Sequence, residues 1–448
     1  MARKLIASAL CLVFLSACAP IMMNVEDLLS PPRLNERQTQ VEQALEAHID
    51  LSSIQYQHPR DGDFRSPFVF SDMNGDGLLE AIVFYTPQEG GGIRFKVMRE
   101  QADGSWLLVS DRAGFGDQVH IVKFAYLICA QTSCLLVGWE DSATRERRLD
   151  VFSMQNGRLE TLYQTPYTIF DIAAYKAGDL EQIALVRQDI AGDFALHLLG
   201  RTLDGRLSLL GNTALSGDIY EVLNLTKGVM RDNINGIYVD ARRFTNRLEI
   251  ATELFEVSTA EDAGTWLSVL VADVEREVIN RLYRQTFRSD DNLLSVDLRG
   301  DGNVSIPIHH EQPMPGVVGE AELEPPPLTM FMRYNYAGFL DVVDIAAVNA
   351  DAGYLFFFPE RWVGNVTVLR RPEIDEWQFW EVDPLTNLRA TELLRIRVYS
   401  IRDYQNRLVG DYFRLADRGL FLYYGYLPDA TGEMALTQEE MENNFMLL

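Results

Sequence analysis

A mainly β fold is what this sequence predicts: a propeller of short antiparallel repeats, followed by a small α+β domain. Three observations predict it. Apolar runs recur at near-regular spacing: AIVFY after Glu80, LLVGW after Cys134, QIALV after Glu181, GIYVD after Asn235 and IPIHH after Ser305, at intervals of 54, 47, 54 and 70 residues. Between them stand further strand-like runs joined by Asp103-Gly104, Asn156-Gly157 and Asp204-Gly205, pairs that close tight hairpins. After about residue 350 the Asp-Gly signal and the spacing both stop. One repeat of about 50 residues with three or four strands cannot bury both of its faces, so neighbours must stack around an axis. A pair of β-sandwiches is the competing arrangement, and the regular intervals favour the propeller. Five units are visible, and six or seven fit the same pattern.

The 448 residues suffice for a large core, and 47% hydrophobic with 23% charged residues is the composition of a folded globular chain. Residues 1–17 have the layout of an export signal: Arg3 and Lys4, then the apolar run Leu5–Leu15, too short to span a bilayer comfortably. The run ends in Leu15-Ser16-Ala17-Cys18, which resembles the lipobox of bacterial lipoproteins. That resemblance implies cleavage before Cys18, lipidation of its sulfur, and an address on the extracytoplasmic side of the cell envelope. An ordinary cleaved signal with a chance cysteine is the plainer alternative.

Residues 18–51 read as a tether, with Pro20, Pro31 and Pro32, and then a helix over 35–49. Val41, Leu45 and Ile49 fall on one side of that helix, and Glu36, Glu42 and Glu46 on the other. The propeller is expected over 52–348 and the α+β domain over 349–448. Pro313, Pro315 and Pro325-Pro326-Pro327 mark a rim loop, because proline cannot donate to a sheet ladder. In the tail, Thr437 is positioned to cap a short acidic helix. A last propeller blade is the alternative reading of the tail. In the run Trp377-Gln378-Phe379-Trp380, alternation sends Trp377 and Phe379 to one face, and core packing explains them better than an exposed ligand platform.

The net charge is −25, and −27 once Arg3 and Lys4 are removed. Such acidity excludes nucleic acid as a partner and disfavours adsorption on anionic lipid. The expected partners are a protein or a glycan at the cell surface, with the membrane reached only through the N-terminal lipid. Cys129 and Cys134, spaced C-x4-C, are equally consistent with a hairpin disulfide and with two buried thiols.

The one stretch that concentrates chemistry is Ser71–Glu80. Asp72, Asn74, Asp76 and Glu80 place oxygens at alternate positions, and Gly75 and Gly77 permit a tight, partly left-handed backbone. The pattern D-x-N-x-D-G-x-x-E resembles the calcium loops of FG-GAP (VCBS) repeats, found in integrin α-subunit propellers and bacterial surface proteins. The resemblance implies calcium held by Asp72, Asn74, Asp76, Glu80 and the carbonyl of Leu78. Glu80 departs from the Asp usual at the ninth position. An Asx-turn hairpin without metal is the plain alternative. A second copy, Asp297–Ser305, keeps the glycines but has Arg299 and Ser305 at ligand positions, so Arg299 is expected to pair with Asp297 and Asp301 in place of a cation. The third unit has Ala173, Tyr175 and Ala177 there and is expected to bind none.

Catalytic patterns are sparse. His309-His310-Glu311 sits on a strand, where adjacent side chains point apart, and pairs such as Glu322/Glu324 and Glu439/Glu440 lie in polar stretches. The sequence therefore favours a non-catalytic, envelope-anchored binding or scaffold module stiffened by calcium. A polysaccharide-acting enzyme and a sensory or assembly lipoprotein working through a protein partner are the alternatives.

Overall fold

The computed structural model describes residues 35–174, 180–231, 234–244, 248–260, 264–269, 283–289, 293–319, 325–335, 339–401 and 410–448. The sorting signal with Cys18, the positions Tyr175 and Ala177, and the pair Glu322/Glu324 lie outside them. Contacts divide the chain into two units. The first holds the described residues up to His58, Ser66–Ser71 and Gly77–Gly114; the second holds Pro59–Arg65, Asp72–Asp76 and the chain from Phe115 onward.

In the first unit, helix α1 (Glu36–Glu46) begins at Asn35, whose side chain accepts the Gln38 N–H while Gln38 answers on the Asn35 N–H. Its buried face, Val41 and Leu45, packs with Phe68, Val83, Met98 and Trp106 of an antiparallel sheet. That sheet comprises β1 (Ile54–Tyr56), β2 (Phe68–Ser71), β3 (Glu80–Pro87), β4 (Arg94–Glu100) and β5 (Trp106–Ala113). β1 and β2 pair with successive halves of β3, so together they fill one strand position.

The second unit repeats this meander. Its first sheet is β6 (Gln118–Ala125), β7 (Cys134–Glu140), β8 (Arg147–Gln155) and β9 (Arg158–Pro166). The next is β10 (Ile169–Ala173), β11 (Gln182–Gln188), β12 (Phe194–Arg201) and β13 (Leu207–Ala214). Then come β14 (Ile219–Arg231), β15 (Ile234–Phe244), β16 (Leu248–Ala260) and β17 (Gly264–Val269). The following sheet has β18 (Ile306–His309), β19 (Leu328–Tyr334), β20 (Leu340–Asn349) and β21 (Tyr354–Phe357). The last has β22 (Val366–Arg371), β23 (Glu376–Val382), β24 (Arg389–Ser400), β25 (Phe413–Arg418) and β26 (Phe421–Tyr426). The fold is thus mainly β, built from propeller-type blades of antiparallel strands; β6–β9, β10–β13, β14–β17 and β18–β21 run in sequence order, whereas in the last sheet β26 lies between β24 and β25.

Consecutive sheets of the second unit share cores, as stacked blades must. Leu136 and Val151 pack with Ile183 and Leu185; Val186 and Leu198 with Ile237 and Val239; Tyr238 and Leu254 with Ile306. A large apolar cluster joins Leu328 and Tyr354 to Trp377, Phe379 and Ile396. Trp377 and Phe379 are both buried, as strand alternation predicts.

Two expectations are corrected. The recurring anchors are not all in phase. β3, β7, β11 and β15 are the second strands of their sheets, whereas the anchor at Ser305 precedes β18, a first strand. Both positions are buried on two sides, and an apolar run alone does not reveal which one it occupies. The boundary expected at 349 also fails to coincide with a break. β20 pairs with β21 across it, a sixth blade-type sheet follows, and helix α2 (Gln438–Asn444), capped by Thr437, leads into β27 (Phe445–Leu447), which pairs back onto β21. The tail is part of the same packed unit because its strands complete the preceding sheet.

Candidate functional site

The five expected calcium ligands are divided between the units: Asp72, Asn74 and Asp76 belong to the second, Leu78 and Glu80 to the first. Within the second unit the loop is tied by its own side chains. Asp72 Oδ1 accepts the N–H groups of Gly75 (2.8 Å) and Asp76 (3.2 Å), and Asn74 Oδ1 accepts the Asp76 N–H (2.9 Å). The Asn74 amide donates to Asp76 Oδ2 at 2.9 Å. Gly75 has φ +74°, and a Cβ there would lie 2.3 Å from the Gln131 carbonyl oxygen, so only glycine fits. Met73, fully buried, accepts the Ser133 N–H through its carbonyl. Within the first unit Glu80 is fully buried at the start of β3. Among the described residues no three His, Cys, Asp or Glu side chains converge as a metal cluster. The hard oxygen donors Asp72, Asn74 and Asp76 nonetheless fit calcium chemistry, and their Asx turns hold them in one loop.

The second copy shows a different arrangement from the one expected. Asp297 accepts the N–H groups of Asp301 (3.2 Å) and Gly302 (2.7 Å), as in the first loop. Arg299 does not turn inward: it bonds Asp344 on β20 at 2.7 Å and lies over the Phe357 ring. The reason is reach, since the neighbouring strand offers both a carboxylate and an aromatic face. A guanidinium does meet this loop, but it is Arg333 of β19, 3.7 Å from Asp301 and bonded to Ser305 at 3.0 Å. Cys129 and Cys134 are free thiols; Cys129 contacts the Thr132 hydroxyl, and burial pushes the Cys134 thiol up to about 11. His309 meets Ser289 while His310 meets Gln312, so the two histidines do not converge.

A concave site lies elsewhere among the described residues. A cleft of about 480 Å³ opens where the sheet of β18–β21 meets that of β22–β26. Its polar walls include Asp351, Arg370, Arg371, Asp375 and Glu376; its apolar walls include Trp377, Phe421, Pro326 and Pro327. Arg371 faces Glu376 across the β22–β23 ladder, and Arg370 faces Trp377. Glu376 is buried but satisfied, accepting the Tyr412 hydroxyl (2.7 Å) and the Gln378 amide (2.8 Å). Burial and the Glu376 contact push the Tyr412 phenol up to about 12. Trp377 is held edge-on against Tyr354, whereas Phe421 remains 52% exposed. Asp375 adopts φ +48° at the turn into β23 and, like Arg371, lines the cleft. The cleft combines a rigid floor, an exposed aromatic ring and charges of both signs. Sequence reading missed it because its walls are contributed by six separated stretches, and alternation identifies Trp377 only as core.

No family model matches the chain, and no curated protein sequence matches it. Solved structures similar to it include Sqt1 from Chaetomium thermophilum (11% identity, 88% of this chain and 81% of that one, TM-score 0.30). The Dos1 propeller aligns at 10% identity over 86% and 84%, TM-score 0.28. The rhamnogalacturonan lyase YesW aligns at 12% identity over 75% and 71%, TM-score 0.28. At these scores none of the three carries an argument about ligand or activity.

Proposed function

We propose that this chain is an envelope-anchored, non-catalytic binding module whose ligand is the end of a glycan seated in the cleft at Trp377. The observation that carries the reading is the cleft itself. Its volume falls in the range of small-molecule sites, about 300–1,000 Å³. Phe421 supplies an exposed face for a sugar ring, and Arg371 with Asp351 and Asp375 supplies paired donors and acceptors for hydroxyls. Glu376 is occupied by Tyr412 and Gln378, which supports a fixed binding wall in preference to a free acid–base pair. The address rests on the lipobox-like Leu15–Cys18, and the calcium loop is the proposed brace.

The test uses the full chain. Titration with a panel of neutral and uronic-acid oligosaccharides, read by tryptophan fluorescence, is expected to saturate for at least one class. Phe421→Ala and Arg371→Ala should each weaken that binding about tenfold, or roughly 1.4 kcal/mol. Absence of saturable binding across the panel would end the glycan reading, and cleavage of any member would replace it with the enzymatic one. In the producing cell, Cys18→Ser should move the protein out of the membrane fraction; unchanged partitioning would remove the anchor.

A further inference from the structure

Away from the cleft, the sheet of β14–β17 contains a buried polar cluster that the binding reading does not use. Ser216 and Asp218 come from the β13–β14 connection, Arg243 from β15, Glu249 and Glu253 from β16, and Tyr283 and Phe287 from the turn at 283–289. Glu253 is 0% exposed. Its Oε1 accepts the Ser216 N–H at 2.9 Å, while Oε2 has no hydrogen-bond partner. Asp218 Oδ2 is paired with Arg243 Nη2, leaving Asp218 Oδ1, Arg243 Nε and Arg243 Nη1 buried without partners. The Tyr283 hydroxyl is likewise buried and unpartnered. The Arg243 guanidinium stacks 3.9 Å from the centre of the Phe287 ring and 5.4 Å from that of Tyr283.

The charges here do not balance. Asp218 and Glu253 share the neighbourhood of one guanidinium, Arg243, which is already paired with Asp218. Arg288, on the same turn as Tyr283, is committed to Asp240. A second negative charge, on a carboxyl with no solvent exposure, is costly, and a proton removes it. A neutral Glu253 also gains an O–H donor on the oxygen that otherwise lacks a partner.

We propose that Glu253 is a proton-binding site coupled to the docking of the Tyr283–Arg288 turn on the β14–β17 sheet: the neutral acid holds the turn, and its ionisation loosens it. The turn is anchored to this sheet by a two-way backbone bridge between Ile250 and Arg288 and by the Thr252 N–H on Thr286. Its Tyr283 end rests on Glu253 and Arg243, so a charge appearing there acts on that end first. Burial pushes the Glu253 carboxyl up to about 7, and Asp218 adds to the rise, against the bond from Ser216. The sign follows. The unfolded chain sheds this proton near 4.5 and the folded chain near 7, so between these values the folded state holds more protons and stability falls as pH rises.

Hydrogen exchange on the full chain tests this, with rates corrected for intrinsic pH dependence. From about pH 5 to about pH 8, protection of the 283–288 amides should fall about tenfold or more relative to those of β22–β24. Glu253→Gln, neutral throughout, should hold protection flat across the range. A variant that keeps the wild-type pH dependence would overturn the proposal. If Glu253→Gln does not fold, carboxyl-13C NMR of glutamate-labelled wild-type protein decides: one resonance titrating near neutrality supports the site, and every resonance titrating in the ordinary carboxylate range refutes it.

Discussion

Asp240 has no solvent exposure and makes five hydrogen bonds. Its Oδ1 accepts Thr252 Oγ1 (2.6 Å), Ser295 Oγ (2.7 Å) and Arg288 Nη2 (2.8 Å); its Oδ2 accepts the Ser295 N–H (2.6 Å) and the Asn224 amide (3.0 Å). Burial works to raise this carboxyl, but the Arg288 charge and the hydrogen bonds outweigh it and hold it below the usual range. It therefore contributes stability above the unfolded value of 3.8, and that contribution is lost as pH falls through the folded one. Arg288→Met strands a buried carboxylate and should cost about 3–5 kcal/mol. Urea unfolding at neutral pH measures this, and the deficit should shrink in acid, where the wild type loses the same pairing. An unchanged midpoint at both pH values would mean that the pair is worth no more than a surface contact. None of this was legible in the sequence. Asp240 ends an apolar run and looks like a strand terminus, while its partners stand 12 to 55 residues away.

Elements read better when their logic is local. Asn35 with Gln38 and Thr437 with Glu440 announce two helix starts, and both capping boxes form. The Asp72–Asp76 turn is largely local too, since Asx oxygens accept the Gly75 and Asp76 N–H groups within it. Its proposed calcium would bind the folded state alone. At the millimolar Kd range of extracellular modules the gain would be on the order of 1 kcal/mol in millimolar calcium. Melting with calcium and with chelator should then differ by a few degrees. Asp76→Ala should erase the difference, while Asp301→Ala should keep it. A wild-type melting point indifferent to calcium would reduce the loop to an Asx turn. The second loop shows where local reading ends: nothing near Asp301 announces Arg333, which arrives from β19, while Arg299 leaves for Asp344 on β20.

For the whole molecule, repetition was legible because five-residue apolar runs are hard to place anywhere but inside a sheet. The phase of the fifth unit and the fate of the tail were not, because pairing partners decide both. Phe356 and Trp362 in the tail pack on Leu328 and Ala347, so the fifth sheet has no finished core without residues beyond 348. A chain truncated after residue 348 also loses β21 and β27 from its ladder and leaves β20 as a bare edge. It should be insoluble, or expose enough apolar surface to bind a hydrophobic dye; a soluble product with a cooperative melt would restore the boundary at 349.

The partition into two units follows no single cut. The chain passes between them at residues 58, 65, 71, 76 and 114. The early segments that belong to the larger unit are bonded into it: Arg60 to the Val119 carbonyl, Asp61 to Ile121 by a parallel bridge, and Met73 to Ser133. Phe64 meets Phe124 with ring centres 5.6 Å apart. The two bodies are thus interleaved along the polypeptide. A gene fragment starting at Phe115 would encode a body missing two of its own pieces, and a protease that nicks the connections would leave short strips held in their own body only by non-covalent contacts. Swapping either unit into a chimera would need several junctions at once, so the pair is expected to be inherited and engineered as one cassette.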